Sequence, residues 1–138
     1  MFTNSNFGKS LEILQRSMDV SILRRRTIAD NLANSDTPNF KRSDISFESE
    51  LKRALDSENR RTMEGALTDG RHIPFNRPQS WLDVQPRKVL DYLSTSKNNG
   101  NNVDVETESM MALQNQLAYN LMASAVQNQF QQVSLVVR

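Results

Sequence analysis

Asp30-Asn31-Leu32-Ala33-Asn34-Ser35-Asp36-Thr37-Pro38-Asn39-Phe40-Lys41 decides the fold, because a long amphipathic helix is brought to a stop inside it. Upstream, apolar residues recur at helical spacing. Downstream, Thr37-Pro38 cannot continue a helix: proline has no amide proton, and its ring pushes the preceding residue out of the α region. Asn34 is the expected left-handed cap, since asparagine tolerates positive φ better than most residues. Ser35 and Asp36 then bond nearby backbone groups and hold the turn.

Working back from that stop, a helix is expected over 6–34. Phe7, Leu11, Leu14, Met18, Ser21, Arg25, Ile28 and Leu32 fall at alternating spacings of four and three. Six of these eight are apolar, a coiled-coil-like stripe. A helix of that length is roughly 40 Å long at 1.5 Å per residue. It cannot fold back on itself, so the stripe needs a partner helix. Arg24-Arg25-Arg26 lies late in it. A solvated face with cations toward the negative helix end is the first reading; contact with acidic neighbours in an assembly is the second, and nucleic acid the third.

Forward of the stop, Phe47, Leu51 and Leu55 lie four apart. Ser46 is a candidate cap and Glu48 and Glu50 fill a first turn, so a short helix is expected within 43–58. Asp56 to Arg71 is polar and reads as a mobile surface loop. His72 is the only histidine, with no cysteine in the chain, so a surface or partly packed imidazole is expected rather than a metal ligand or general base. Pro74, Pro78 and Pro86 bracket Ser80-Trp81-Leu82-Asp83-Val84, which alternates like a short strand or extended arm. Trp81 is expected to anchor that arm against a helix. Ser94 to Asn102 is a polar turn containing Gly100.

A second long helix is expected over 104–137. Asp104 caps it, and Glu106 and Glu108 place further carboxylates against its positive end. At 100° per residue its apolar residues do not form one narrow stripe. Met110, Leu113, Leu117, Leu121 and Leu135 take one side; Tyr119, Val126, Phe130 and Val137 take nearly the opposite one. The strip left over is Gln116, Asn120, Gln127 and Gln131. No Lys or Arg occurs between Lys97 and Arg138, while nine Asn or Gln lie from Gln114 to Gln132. A solvated helix face normally carries Lys and Glu. Amides donate and accept without the desolvation cost of a buried charge. The pattern is that of a helix buried among several neighbours, because the chain has too few other apolar residues to surround it.

Two motifs carry a family resemblance. Asn31-x-Ala33-Asn34-x-x-Thr37-Pro38-x-Phe40-Lys41 resembles the signature of the bacterial flagellar rod, hook and hook-associated proteins, with Asn39 and Phe40 where that family usually has glycine and tyrosine. Gly100-Asn101-Asn102-Val103-Asp104, followed by Gln114-Asn115-Gln116-Leu117-Ala118-Tyr119, is the second match. With the short length, the pair is most similar to proximal-rod members. The resemblance covers both ends, about half the chain, and residues 43 to 97 add little. It implies a structural subunit that polymerises helically and transmits motor torque. It further implies export in an unfolded state by the flagellar type III apparatus and a place in the periplasmic rod of the basal body. The implied partners are further copies of itself, other rod proteins and the adaptor between export gate and MS-ring at the rod base.

Composition sets the outer limits. The chain has 138 residues, 24% charged and 37% hydrophobic, with four glycines, four prolines and no cysteine. That apolar share is low for a globular domain, so a large core is not expected. Cysteine's absence excludes disulfides and thiolate metal sites. Net charge is +1, which gives no bulk attraction to nucleic acid or anionic membrane. No apolar run is long enough to span a bilayer. Met1-Phe2-Thr3-Asn4 lacks a basic-then-apolar leader, so no cleaved signal peptide is expected. No nucleophile-base pair, phosphate loop or ligand cluster appears; no catalytic residue, metal, cofactor or small-molecule substrate is expected. The fold class expected is mainly α. Long N- and C-terminal helices pair as an antiparallel coiled-coil-like hairpin, and an irregular middle arm over 35–103 carries a short helix and a short β segment. The whole is one elongated rod-protein domain over 1–138. Leu11, Leu14, Met18, Ile28 and Leu32 are the packing residues of the first helix. Met110, Leu113, Leu117, Leu121, Val126 and Phe130, with the amide strip, are those of the second. The rival reading is a helical DNA-associated regulator using Arg24-Arg25-Arg26, disfavoured by near-neutral charge and a C-terminal helix without an internal cation.

Overall fold

The computed structural model describes residues 6–58, 68–72, 80–94 and 97–136. In chain order the elements are helix α1 (Asn6–Ala33), strand β1 (Ser43–Ser46), helix α2 (Glu48–Glu58), a 3₁₀ turn (Trp81–Asp83), strand β2 (Arg87–Leu90) and helix α3 (Val105–Val136). The chain is mainly helical, as its periodicity indicates. α1 has 28 residues and α3 has 32. They pack against each other, and their direction is antiparallel: Asn31 near the end of α1 meets Glu108 near the start of α3, while Ser21 meets Asn115. β1 and β2 form a two-stranded sheet.

The residues sort into two compact units. The first comprises Met1–Ile45 and Lys88–Arg138. Its buried apolar residues are few: Val20, Ile28, Ile45 and Val103. Ser21, Thr27, Asn31, Ser43, Asn101, Asn102, Glu108 and Asn115 are buried with them. A core that polar holds only where every group finds a partner. The second unit is Ser46–Arg87. There α2 packs with the 3₁₀ turn, and Phe47, Leu51, Ala54, Trp81 and Val84 are buried.

Several local expectations are corrected. Asn34 is not left-handed: among the described residues the non-glycine with positive φ is Asn39, at 60°. The Asn34 amide instead reaches back to the carbonyls of Asp30 and Asn31, both at 3.2 Å, continuing the helical winding. Ser46 does not cap α2; it ends β1, and the Phe47 carbonyl accepts the first helical bond from Leu51 N at 2.9 Å. Ser80 to Val84 is not a strand. The Ser80 hydroxyl accepts from Leu82 N at 3.3 Å and caps the 3₁₀ turn. Three residues make one turn of that helix, so Trp81 and Val84 are buried on the same side; their spacing is also compatible with this, not only with a strand. The strand lies further on, at Arg87–Leu90. Of the loop expected over Asp56 to Arg71, the first residues complete α2, residues 68–72 including His72 are exposed, and 59–67 fall outside the described residues. Pro74, Pro78 and Val137 fall outside them too.

Candidate functional site

The two sequence motifs, about sixty residues apart, lie against each other. Asn31, fully buried on α1, bonds the backbone of Ser43 as a neighbouring strand would: its Oδ1 accepts from Ser43 N at 3.1 Å and its Nδ2 donates to Ser43 O at 2.8 Å. Asn102 is spliced between residues 42 and 91. Its Oδ1 accepts from Arg42 N at 2.6 Å, and its Nδ2 donates to Asp91 O at 2.7 Å. Asn101, also fully buried, closes the end of α1. Its Nδ2 donates to the carbonyls of Asn34 (2.9 Å), Ser35 (3.0 Å) and Thr37 (2.9 Å), and its Oδ1 accepts from Val103 N at 2.7 Å. These carbonyls belong to the turns that follow Ala33, the last residue of α1. Lys97 Nζ adds a bond to Ser35 O at 2.8 Å, and Lys41 Nζ reaches Gly100 O at the same distance. The Asn39 amide bonds Asn99 O at 3.1 Å, which sets left-handed Asn39 against left-handed Gly100 (φ 78°).

The seam between α1 and α3 is polar where it is most buried. Ser21 Oγ donates to Asn115 Oδ1 at 2.9 Å, and Asn115 Nδ2 donates to Ser21 O at 2.9 Å. Glu108 has no exposed surface. One of its oxygens accepts from Asn31 Nδ2 at 3.2 Å; the other takes the Arg42 guanidinium through Nε. Arg42 Nη2 also contacts Met111 Sδ at 3.0 Å. At the mouth of α3, Asp104 accepts from Glu106 N at 3.1 Å and from the Thr107 hydroxyl. The Thr107 hydroxyl first, then the Glu106 amide, hold the Asp104 carboxyl below its ordinary 3.8. The Ser94 hydroxyl and amide and the Leu93 amide do the same for Asp91.

The motif residues Asn31, Ala33, Asn34, Thr37, Pro38, Phe40 and Lys41 line this junction unequally. Asn31 is buried; Asn34, Phe40 and Lys41 are half-buried; Ala33, Thr37 and Pro38 are exposed. On α1, Ile28 is buried, while Leu11, Leu14, Met18 and Leu32 are half-buried. Arg25, placed in the stripe by spacing, is exposed; its neighbour Arg24 turns inward and donates to Ile45 O at 3.1 Å. On α3 the two apolar sides separate. Tyr119 and Val126 are half-buried, with Met122. Met110, Leu113, Leu117 and Leu121 stand exposed at 60%, 58%, 55% and 72%, and Phe130 is exposed as well. Gln116, Asn120, Gln127 and Gln131 are exposed, the first two bonded to each other at 3.1 Å. A shallow hollow of about 220 Å³ lies between the helices, lined by Ser21, Ile22, Arg25, Asn115, Gln116 and Tyr119.

Arg42, Ser43 and Glu108 belong to the junction yet carry no apolar or capping signal in the sequence. Glu108 reads as one more helix-start carboxylate, although the side of the first turn it occupies faces Asn31 and Arg42 rather than water. A further hint was available: a chain with so few apolar residues must bury polar ones. Among the described residues no group of His, Asp and Glu is arranged to hold a metal, and no helix is long and apolar enough to cross a membrane.

No protein-family model matches the chain. Curated relatives do. The flagellar basal body rod protein FlgB of Borreliella burgdorferi (strain B31) is 40% identical over 134 residues, 97% of this chain and 99% of that protein. FlgB of Borrelia hermsii is 40% identical over 132 residues, 96% and 98% of the two chains. FlgB of Bacillus subtilis (strain 168) is 30% identical over 133 residues, 96% of each. Identity that extends from end to end takes in residues 43 to 97 as well as both motifs. The chain belongs to the FlgB family of flagellar basal body rod proteins.

Proposed function

We propose that this structural protein of the flagellar rod polymerises helically through its terminal helices, in contact with further copies of itself and with other rod proteins. The observation that carries the reading is the bare side of α3. Met110, Leu113, Leu117 and Leu121 follow each other down one side, more than half exposed, on a helix with no Lys or Arg between Lys97 and Arg138. Apolar area of this kind is covered in a working protein, and each leucine removed from water contributes on the order of 1.5–3 kcal/mol. Repeated at every contact of a polymer, that gain makes a stiff shaft able to transmit motor torque.

The same reading places the protein in the periplasmic part of the basal body, next to the adaptor at the rod base, after passage through the flagellar type III apparatus. Its support is the family to which the chain belongs. Arg24 is held at Ile45 O, so the arginine run does not present three cations together to a nucleic acid. Leu117→Glu with Leu121→Glu tests the assembly. Isolated basal bodies are expected to lack the tagged variant while its cellular level stays unchanged; incorporation at the parental level would overturn the reading.

A further inference from the structure

We propose that Arg42 and Glu108 make the pairing of α1 with α3 conditional on docking of the chain that follows the α1 turn, so that neither step completes without the other. Three bodies meet at one carboxylate: α3 supplies Glu108, α1 supplies Asn31, and residue 42, just ahead of β1, supplies the guanidinium. The Glu108 side chain is fully buried in the folded chain, and with Arg42 undocked its carboxylate would keep only the neutral amide of Asn31 among these partners. A buried charge with one neutral partner opposes burial strongly. Among the described residues the other cations of the junction are committed elsewhere, Lys41 at Gly100 O and Lys97 at Ser35 O. α3 has none before Arg138, Arg24 is engaged at Ile45 O, and Arg25 and Arg26 are exposed.

The dependence runs the other way too. Both backbone groups of Ser43 are bonded by Asn31, the Arg42 amide by Asn102, and the Arg42 guanidinium by Glu108 and Met111. Every one of those partners belongs to α1, α3 or the turn leading into α3. Outside the helix junction, Arg42 keeps a bond from Asp91 N to its carbonyl at 2.9 Å and a looser contact with Asp44 at 3.9 Å. The Ser43 backbone and the Arg42 amide and Nε find the partners named above where the helices meet.

Stability alone does not call for an ion pair here, because two apolar side chains of similar volume serve as well or better. What the pair adds is coupling, and the coupling is lopsided. Glu108 has no path to water, whereas the Arg42 side chain keeps 18% of its surface exposed and can turn its head outward. Losing the arginine strands a charge. Losing the carboxylate frees a cation that water can accept.

Hydrogen exchange on the full-length soluble chain, read amide by amide, tests this. In the parent the amides of Arg42 and Ser43 are expected to open together with those of Val20–Asn31 and Glu108–Asn115, as one cooperative unit. Arg42→Met is expected to lower helix protection at least about a hundredfold, the scale of an unpaired buried charge. Glu108→Gln, which keeps an acceptor oxygen and no charge, is expected to leave helix protection within about tenfold of the parent while residues 42 and 43 lose theirs. The double variant Arg42→Met with Glu108→Leu is expected to restore the helices and leave residues 42 and 43 exchanging separately. Parental helix protection in Arg42→Met overturns the proposal. So does a double variant no better than Arg42→Met alone, or one in which helices and residues 42 and 43 recover together. A parent chain with no protected amides in Val20–Asn31 also overturns it, because there would be no pairing to gate. The measurement makes no use of rod assembly, so its failure leaves the reading under Proposed function untouched.

Discussion

Asn39 and Gly100 press two left-handed backbones together, and the space between them is smaller than a methyl group. A Cβ built on Gly100 would lie 2.6 Å from Asn39 Oδ1. Gly100→Ala therefore meets a clash and an unfavourable φ at once, and is expected to cost about 1–2 kcal/mol in urea unfolding. Asn39→Gly removes the obstructing oxygen but not the φ penalty at 100. The double variant is thus expected to lose less than Gly100→Ala alone. The Asp104 carboxyl gives a second measurement at this scale. Its folded value is depressed chiefly by the Thr107 hydroxyl, so the bonds it accepts at the start of α3 stabilise the fold above the unfolded value. They are lost as pH falls through the lower folded one. Thr107→Ala is expected to raise the Asp104 midpoint toward 3.8 in an NMR titration; an unmoved midpoint would show that the hydroxyl contributes nothing.

What ends α1 is a question about the element, and the answer is not the proline that marks the place in the sequence. α1 stops at Ala33, Pro38 is exposed, and Asn101 takes the carbonyls of Asn34, Ser35 and Thr37. Pro38→Ala is accordingly expected to change unfolding free energy by less than about 1 kcal/mol. Asn101→Ala leaves the buried Val103 amide without its acceptor, removes three bonds to the turn carbonyls, and is expected to cost about 2 kcal/mol. Equal effects from the two changes would return the stop to Pro38. The helix lengths were legible because apolar spacing and caps are local signals: Asp104 begins α3 where its chemistry says it does. The wall of amides was not. Asn31, Asn101 and Asn102 act across sequence gaps of up to 77 residues, and an asparagine written in a row gives no hint of which backbone it will bond. Arg25 and Arg24 exchange places for a related reason. A heptad stripe locates a face to within one residue, but Ile45 O decides which arginine turns inward.

For the molecule as a whole, burial is concentrated in one stretch of each terminal helix. The buried residues of α1 run from Val20 to Asn31, and those of α3 are Glu108 and Asn115. Beyond them, α1 up to Asp19 and α3 from Gln116 onward bury no residue in the chain itself. Long helices owe most of their stability to packing rather than propensity, so these outer stretches are where the assembly proposed above would add burial. Gln127 and Gln131 are exposed there, and the open question is whether that exposure survives assembly. A solvated strip tolerates charge, since surface substitutions stay within about 0.5 kcal/mol. A strip buried between subunits does not: a glutamate there would lie desolvated in each contact and cost on the order of a few kcal/mol unless paired. A polymer repeats that cost at every copy. Gln127→Glu with Gln131→Glu is therefore expected to leave the protein soluble and abundant in the cell but missing from isolated basal bodies. Thr68→Glu with His72→Glu adds the same charge at exposed positions and is the control expected to incorporate. If cells carrying the Gln127/Gln131 variant swim like the parent, the strip faces water in the finished rod and only the leucine side of α3 is left to carry the contacts.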